Sequence, residues 1–109
     1  MPHCIIEHSS TLDGEVLMPL VFTGMMNSEL FQVDDVKVRT QSFSHYQTAH
    51  EKTDFIHVTL KILSGRNTEQ KSRLSQCVLE QITTLGLTEG SISVEVMDID
   101  RASYVKVVL

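Results

Sequence analysis

Residues 55–62 read F-I-H-V-T-L-K-I, and S-G-R-N-T-E-Q follows at 64–70. Every second residue of the first run is a branched aliphatic one. Neighbouring side chains of a strand point to opposite faces, so this alternation predicts a strand with one buried face. The second run predicts a turn, and a helix that begins with a capping box between Asn67 and Gln70. A strand that leads through a short turn into a capped helix is the unit that decides the fold.

The same unit continues into a further strand. The helix is marked by apolar side chains at helical spacing, namely Leu74, Val78, Ile82 and Leu85. Gly86, just after them, suits the left-handed conformation that often ends a helix. Residues 91–96 then alternate between polar and branched aliphatic residues, which predicts the next strand.

The first half of the chain repeats this order with weaker signals. Residues 2–8 predict a strand, Pro19 suits the first turn of a short helix, and residues 36–41 alternate as a second strand. The polar residues 45–53 predict a loop between the halves. We therefore predict one α+β domain, residues 1–109. It is a doubled β-α-β unit that forms a four-stranded mixed sheet with two helices on one face.

The other face of this sheet is predicted to lack a cover. The side chains predicted on this face are too apolar for open solvent and too charged for a dry core. They are Lys37, Arg39, Gln41, Phe43, Phe55, His57, Thr59 and Lys61. Burial of this face in a symmetric oligomer resolves the conflict. The tail at 103–109 also reads as a strand without a partner in the monomer, so it is expected to add to a neighbour's sheet edge.

Composition limits the classes of partner. The formal net charge is −5 and the nine Lys and Arg are spread along the chain, which argues against a nucleic-acid partner. No apolar run approaches the ~20 residues that span a bilayer, so no membrane partner is expected. No signal segment opens the sequence, which predicts a cytoplasmic protein.

Metal and thiol chemistry are not expected. Cys4 and Cys77 lie far apart in the sequence and are interpreted as buried, apolar thiols. The five histidines show no helical i, i+4 pair with a carboxylate that would complete a metal site: His3, His8, His45, His50 and His57. His57 is expected to form hydrogen bonds in a subunit interface. We predict that no cofactor is needed.

Three segments together resemble a known enzyme family. They are M-P-H-C-I-I-E at the amino terminus, F-I-H-V-T-L-K-I, and S-G-R-N-T-E-Q-K after it. In order and spacing they resemble the 5-carboxymethyl-2-hydroxymuconate delta-isomerase family of the tautomerase superfamily. The similarity runs from Met1 to about Asp98. It implies the doubled β-α-β fold and a homotrimer, and three copies of a half-covered sheet can enclose their uncovered faces around an axis.

The resemblance also implies the site residues. In that family the amino-terminal proline, freed by removal of methionine, is the general base, and Pro2 matches it. A terminal amine has an ordinary pKa of ~8, which desolvation and nearby cations lower toward working pH. Arg66 matches an arginine that binds a substrate carboxylate. Retention of Met1 would turn the Pro2 nitrogen into an amide, which is not a base.

Two further cations have two interpretations. The family has Arg-x-Arg where this chain has Lys37 and Arg39. The resemblance implies that both bind substrate carboxylates, with looser orientation at Lys37 because an ammonium is a point charge. The alternative is that either residue pairs with Glu7 or Asp54 as an interface salt bridge.

The predicted activity is cofactor-independent isomerisation of an unsaturated 2-hydroxy di- or tricarboxylate to its 2-oxo isomer, as in aromatic catabolism. Pro2 is the base, and Arg66, Arg39 and Lys37 hold the carboxylates and stabilise the dienolate. Two alternatives stay open. One is a non-catalytic oligomeric protein that kept the anion pocket. The other is a generic keto-enol tautomerase of the phenylpyruvate type.

Overall fold

The structure is a computed structural model that describes residues 1–109. Its elements follow the predicted order. They are β1 (His3–Ser9), α1 (Gly14–Asn27), a short 3-10 helix (Val33–Asp35), β2 (Lys37–Phe43), β3 (Phe55–Leu63), α2 (Thr68–Thr83) and β4 (Ser91–Ile99).

The four strands form one mixed sheet in the order β2-β1-β3-β4. β1 pairs with β2 in parallel and β3 pairs with β4 in parallel, while β1 and β3 run antiparallel at the centre. Each parallel pair is joined by one helix, which confirms the predicted α+β fold of two β-α-β units.

Both helices pack on the same face of the sheet. Twelve buried apolar residues form the core: Cys4, Ile6, Leu17, Val21, Met25, Ile56, Val58, Leu60, Ile62, Leu74, Val78 and Ile82. The alternation in β3 and the stripe of α2 thus face each other, as predicted, except that Leu85 lies beyond the end of α2 and is only partly buried. The two helices also approach closely, because a Cβ added at Gly24 would lie 2.6 Å from Cα of Val78.

The two ends of α2 are formed as the sequence indicates. Asn67 and Gln70 make the reciprocal capping box. Thr84 ends the helix, and Gly86 has a φ of 77° in the left-handed region.

The predicted start of α1 is wrong. The helix begins at Gly14, and the carboxylate of Asp13 caps it by accepting from the backbone N–H of Glu15 at 2.9 Å. Pro19 therefore lies inside the helix, not in its first turn. An aspartate before a helix satisfies amide groups that would otherwise have no partner, so the cap outweighs the signal of Pro19.

The opposite face of the sheet has no helix on it, as predicted. His57 bonds to two groups on β4: its Nδ1 lies 2.7 Å from Oγ of Ser93, and its Nε2 lies 2.5 Å from a carboxylate oxygen of Glu95. Phe43 and Phe55 are neighbours with ring centroids 6.3 Å apart.

The tail after β4 forms no strand within this chain. Its apolar side chains Val105, Val107, Val108 and Leu109 are exposed. The addition of the tail to a neighbour's sheet stays a prediction.

Candidate active site

A cavity of about 190 Å³ opens where the amino terminus meets the ends of β3 and β4. Its walls come from the amino terminus, the segment between α1 and β2, the turn after β3 and the turn after β4. Among the lining residues are Pro2, Phe31, Asp35, Arg66 and Arg101. The sheet topology accounts for this meeting point, because β1 begins at the edge where its antiparallel neighbour β3 ends.

Pro2 is buried directly before β1. Its carbonyl oxygen accepts a hydrogen bond from the backbone N–H of Lys37 at 3.1 Å, so the parallel pairing with β2 holds it. Met1, which is half-buried, also lines the cavity. Its amine donates to the main-chain oxygen of Asp35 at 2.8 Å.

The surroundings of the amino terminus disfavour a positive charge. Burial is the largest cause and lowers the pKa of the Met1 amine below its ordinary value. The carboxylate of Asp35 opposes this change, whereas Lys106 and Lys37 add to it. These influences act on the amine directly before Pro2.

Arg66 reaches the cavity from the turn after β3. Gly65 before it has a φ of 128°, a left-handed conformation that favours glycine. The Nη2 of Arg66 donates to the main-chain oxygen of Leu30 at 2.9 Å, and the guanidinium lies over the ring of Phe31, 5.5 Å from its centroid. The side chain is therefore oriented by a neutral oxygen and an aromatic face, without a carboxylate partner.

Lys37 and Arg39 do not line this cavity in the same chain. Both are exposed on the uncovered face of the sheet, as their alternation predicted. Nζ of Lys37 donates to the main-chain oxygen of Asp35 at 3.2 Å, which is the oxygen that also accepts from the Met1 amine. Lys37 thus borders the amino terminus, whereas Arg39 lies two residues further along β2.

Arg39 contacts a histidine. Its Nη1 lies 3.2 Å from Nδ1 of His3 on β1. Burial, followed by the charge of Arg39, lowers the pKa of His3. The neutral ring can accept the arginine N–H at Nδ1. Neither Lys37 nor Arg39 forms an ion pair with Glu7 or Asp54 within the chain.

Arg101 was not predicted. It lies in the turn that follows β4, and Nε and Nη2 both donate to the main-chain oxygen of Ser64, at 3.1 and 2.9 Å. No local motif marks this arginine. The signal that could have located it is topological, because the ends of two parallel strands, here Leu63 and Ile99, lie side by side.

The remaining chemistry-bearing groups lie elsewhere. Burial raises the pKa of the Cys4 thiol to about 12, so it is not a nucleophile near neutral pH. Cys77 is half-buried on α2 and free, less buried than the sequence predicted. No three His, Cys, Asp or Glu side chains are grouped as a metal ion requires. No helix is long and apolar enough to cross a membrane.

The doubled β-α-β sheet with two helices on one face defines a protein of the tautomerase fold. The sequence profile of the 5-carboxymethyl-2-hydroxymuconate isomerase family matches residues 2–106. The chain belongs to that family.

One sequence relative agrees with this assignment, and solved structures share the fold. The 5-carboxymethyl-2-hydroxymuconate Delta-isomerase of Escherichia coli is 28% identical over 90 residues, which cover 77% of this chain and 71% of that enzyme. The protein Pt0534, crystallised after inactivation by 2-oxo-3-pentynoate, superposes with a TM-score of 0.82 at 21% identity, over 94% of this chain and 89% of its own. A fused 4-OT described as a symmetric trimer superposes with a TM-score of 0.77 at 16% identity. The match covers 92% of this chain and 87% of the fused 4-OT chain.

Proposed function

We propose that the protein isomerises an unsaturated 2-hydroxy di- or tricarboxylate, of the 5-carboxymethyl-2-hydroxymuconate type, to its 2-oxo isomer. No cofactor takes part, and Pro2 is the general base once Met1 has been removed. The observation that carries the proposal is the shared cavity, since Pro2 and the unpaired guanidinium of Arg66 line the same small space.

The proposed reaction returns the proton that it removes. The unprotonated nitrogen of Pro2 accepts the proton of the 2-hydroxyl group, and the O–H electron pair becomes part of the new C=O bond. The double-bond electrons shift along the conjugated chain to a distant carbon, which takes the proton back from the ring ammonium. Substrate and product therefore have the same composition, which needs neither oxidant nor reductant.

Arg66 is the proposed carboxylate-binding residue. A guanidinium fits a carboxylate with two parallel hydrogen bonds. Its bond to Leu30 and its place over Phe31 support the proposal, because an arginine already held in place loses less freedom when the substrate binds. The same positive charge would stabilise the dienolate that forms when the proton leaves.

We also propose that the active form is a homotrimer, as the fused 4-OT neighbour is described. The uncovered sheet face supports this proposal. In such an assembly Lys37 and Arg39 of one copy can face a cavity of the next, where they would bind further substrate carboxylates. The alternative role is an intersubunit salt bridge. Substrate binding predicts a raised KM in a trimeric Arg39→Gln enzyme, whereas a salt bridge predicts an unchanged KM.

The covalent reagent 2-oxo-3-pentynoate tests the central residue. It is a conjugated ynone, and a free amine adds across its triple bond with no leaving group. With Met1 removed, we expect one added reagent molecule per chain, mapped by mass spectrometry to the peptide that begins with Pro2, together with loss of isomerase activity. A preparation that retains Met1 is the matched control, and its Pro2 nitrogen, which is then an amide, should carry no label. Full activity in that control would refute the role of Pro2.

A second assay separates the proposed substrate class from the phenylpyruvate type. Turnover of a tricarboxylate enol is compared with turnover of the phenylpyruvate enol, which has one carboxylate. A much higher kcat/KM for the tricarboxylate supports the proposal, and equal values would favour the generic tautomerase.

A further inference from the structure

Two guanidinium groups reach the cavity from two different turns. The parallel strands β3 and β4 end side by side at Leu63 and Ile99. Arg66 follows the first end by three residues and Arg101 follows the second by two, and both line the cavity with Pro2. The pairing of the strands thus brings a second cation to the proposed active site.

Arg101 is held in place by its own turn. The backbone N–H of Ser64 donates to the oxygen of Ile99 at 3.0 Å, and the oxygen of Ser64 accepts twice from Arg101 in return. Within the turn, Oγ of Ser103 donates to a carboxylate oxygen of Asp100 at 2.7 Å. Arg101 is therefore oriented before any ligand arrives.

Neither guanidinium is neutralised within the chain. Arg101 directs two of its five N–H groups at one neutral oxygen, and Arg66 directs one at another, so each retains free donors. Asp35, the acidic residue of the cavity wall, lies 3.3 Å from Nζ of Lys106. Two unpaired guanidinium groups in one cavity of a chain with net charge −5 are a charge pattern that a dianion would complement.

We propose that Arg101 binds a second carboxylate of the substrate, at the same time as Arg66 binds the first. This inference rests on the proposed function for the identity of the site, and it adds a specificity-determining residue that favours dicarboxylates over monocarboxylates. Arg66 alone suffices to hold a monocarboxylate, whereas a diacid gains a second charge-assisted contact.

Binding of two matched diene acids tests this proposal without catalysis. Muconate is a six-carbon diene with a carboxylate at each end, and sorbate is the same diene with a methyl group at one end. Neither carries the hydroxyl group that the reaction needs. Calorimetry on protein lacking Met1 should show muconate bound about 10- to 100-fold more tightly than sorbate. Equal affinities for the two acids in the unaltered protein would overturn the proposal.

The variant Arg101→Gln should remove most of this preference. Glutamine keeps one donor for the oxygen of Ser64 but has no charge, so muconate affinity should fall toward that of sorbate while sorbate affinity stays within about threefold. Arg73→Gln is the matched control, because Arg73 lies on α2 outside the cavity and bonds only to Asn27. An Arg101→Gln protein with unchanged preference for muconate would refute the role of Arg101.

Two further measurements keep the test decisive. If circular dichroism shows that Arg101→Gln is poorly folded, Arg101→Lys takes its place. It retains the positive charge without the paired donors of a guanidinium and should show an intermediate preference for muconate. An unchanged preference in Arg101→Lys counts against the proposal. An isomerase assay is run in parallel. Loss of the muconate preference in a variant of an active enzyme supports both proposals, and the same loss in an inactive protein supports the role of Arg101 while refuting the proposed function.

Discussion

The amine of Met1 donates its hydrogen bond to the main-chain oxygen of Asp35 across 2.8 Å, and this contact fixes the amino terminus at the cavity wall. Burial is also the main reason that the pKa of this amine is lowered. The next residue, Pro2, is more deeply buried still. We therefore expect the amine of Pro2, once Met1 is removed, to favour its unprotonated, basic form.

The pH profile should reflect this environment. The free base is the active form, so kcat/KM should rise with pH through the pKa of the Pro2 amine, at a pH below that of an ordinary terminal amine. Lys106→Gln removes a cation that lowers the pKa of the Met1 amine, so we expect the rise for the adjacent Pro2 amine to move to higher pH. Lys71→Gln, which breaks an ion pair with Asp98 outside the cavity, should leave the profile in place. A profile that Lys106→Gln moves to lower pH would contradict the proposed electrostatics.

Substitutions of the two central residues should have different kinetic signatures. Pro2→Ala should lower kcat by about 10²- to 10³-fold, less than complete loss, because a primary amine in the same place still accepts a proton. Arg66→Ala should raise KM by about 10- to 100-fold and lower kcat if the guanidinium also stabilises the dienolate. Arg73→Ala serves as the control. An unchanged KM in a folded Arg66→Ala enzyme would show that Arg66 does not bind substrate.

The uncovered sheet face should hold the oligomer together. Light scattering at micromolar concentration should give the mass of a trimer, and the melting temperature should rise with protein concentration because folding and association are linked. Ile5→Asp places a carboxylate in the middle of that face and should yield monomers. Val16→Asp, at an exposed position of α1, should leave the mass unchanged. A monomeric mass for the unaltered protein would rule out the assembly.

Leu74→Asp should unfold the chain. Leu74 is fully buried between α2 and the sheet, and an unpaired carboxylate there costs several kcal/mol, comparable to the whole stability of a small domain. Gln76→Asp introduces the same charge at an exposed position of α2 and should keep the native circular dichroism spectrum. A folded, oligomeric Leu74→Asp protein would show that the helix face has been assigned wrongly.

Gly24→Ala should destabilise the protein, although alanine is ordinarily favoured over glycine in a helix by about 1 kcal/mol. The added Cβ would lie 2.6 Å from Cα of Val78 and 2.9 Å from the oxygen of Cys77, which are backbone atoms that cannot rotate away. We expect a loss of about 1–3 kcal/mol in chemical denaturation. Ser72→Ala, at an exposed position of α2, is the control for helix propensity. A gain in stability for Gly24→Ala would disprove the tight helix contact.

The sequence predicted most of the architecture because its signals are local. Three of these signals depend on a few neighbouring residues each. They are the alternation in β3, the capping box between Asn67 and Gln70, and the apolar stripe that includes Leu74. The start of α1 was misplaced for the same reason, since Pro19 is a conspicuous local signal and the cap at Asp13 resembles any polar loop residue.

The candidate site was predicted only in part. Pro2 and Arg66 came from a resemblance, and the structure places them at one cavity. Arg101 could not be found in this way, because its position depends on the pairing of β3 with β4, which no short segment encodes. Lys37 and Arg39 share the predicted strand face, and only the assembled sheet reveals that neither lines the cavity of its own chain.

The burial of Cys4 has a consequence for the durability of the enzyme. The proposed product is a 2-oxo acid whose conjugated double bond can be attacked by sulfur nucleophiles. It would be released from the cavity lined by Pro2, which precedes Cys4 by two residues in the sequence. An exposed thiolate at that position would be open to this addition. Held in the core with a pKa of about 12, the sulfur stays protonated and out of reach. The packing of the first strand thus keeps the sulfur of Cys4 from reacting with an electrophile in the neighbouring cavity.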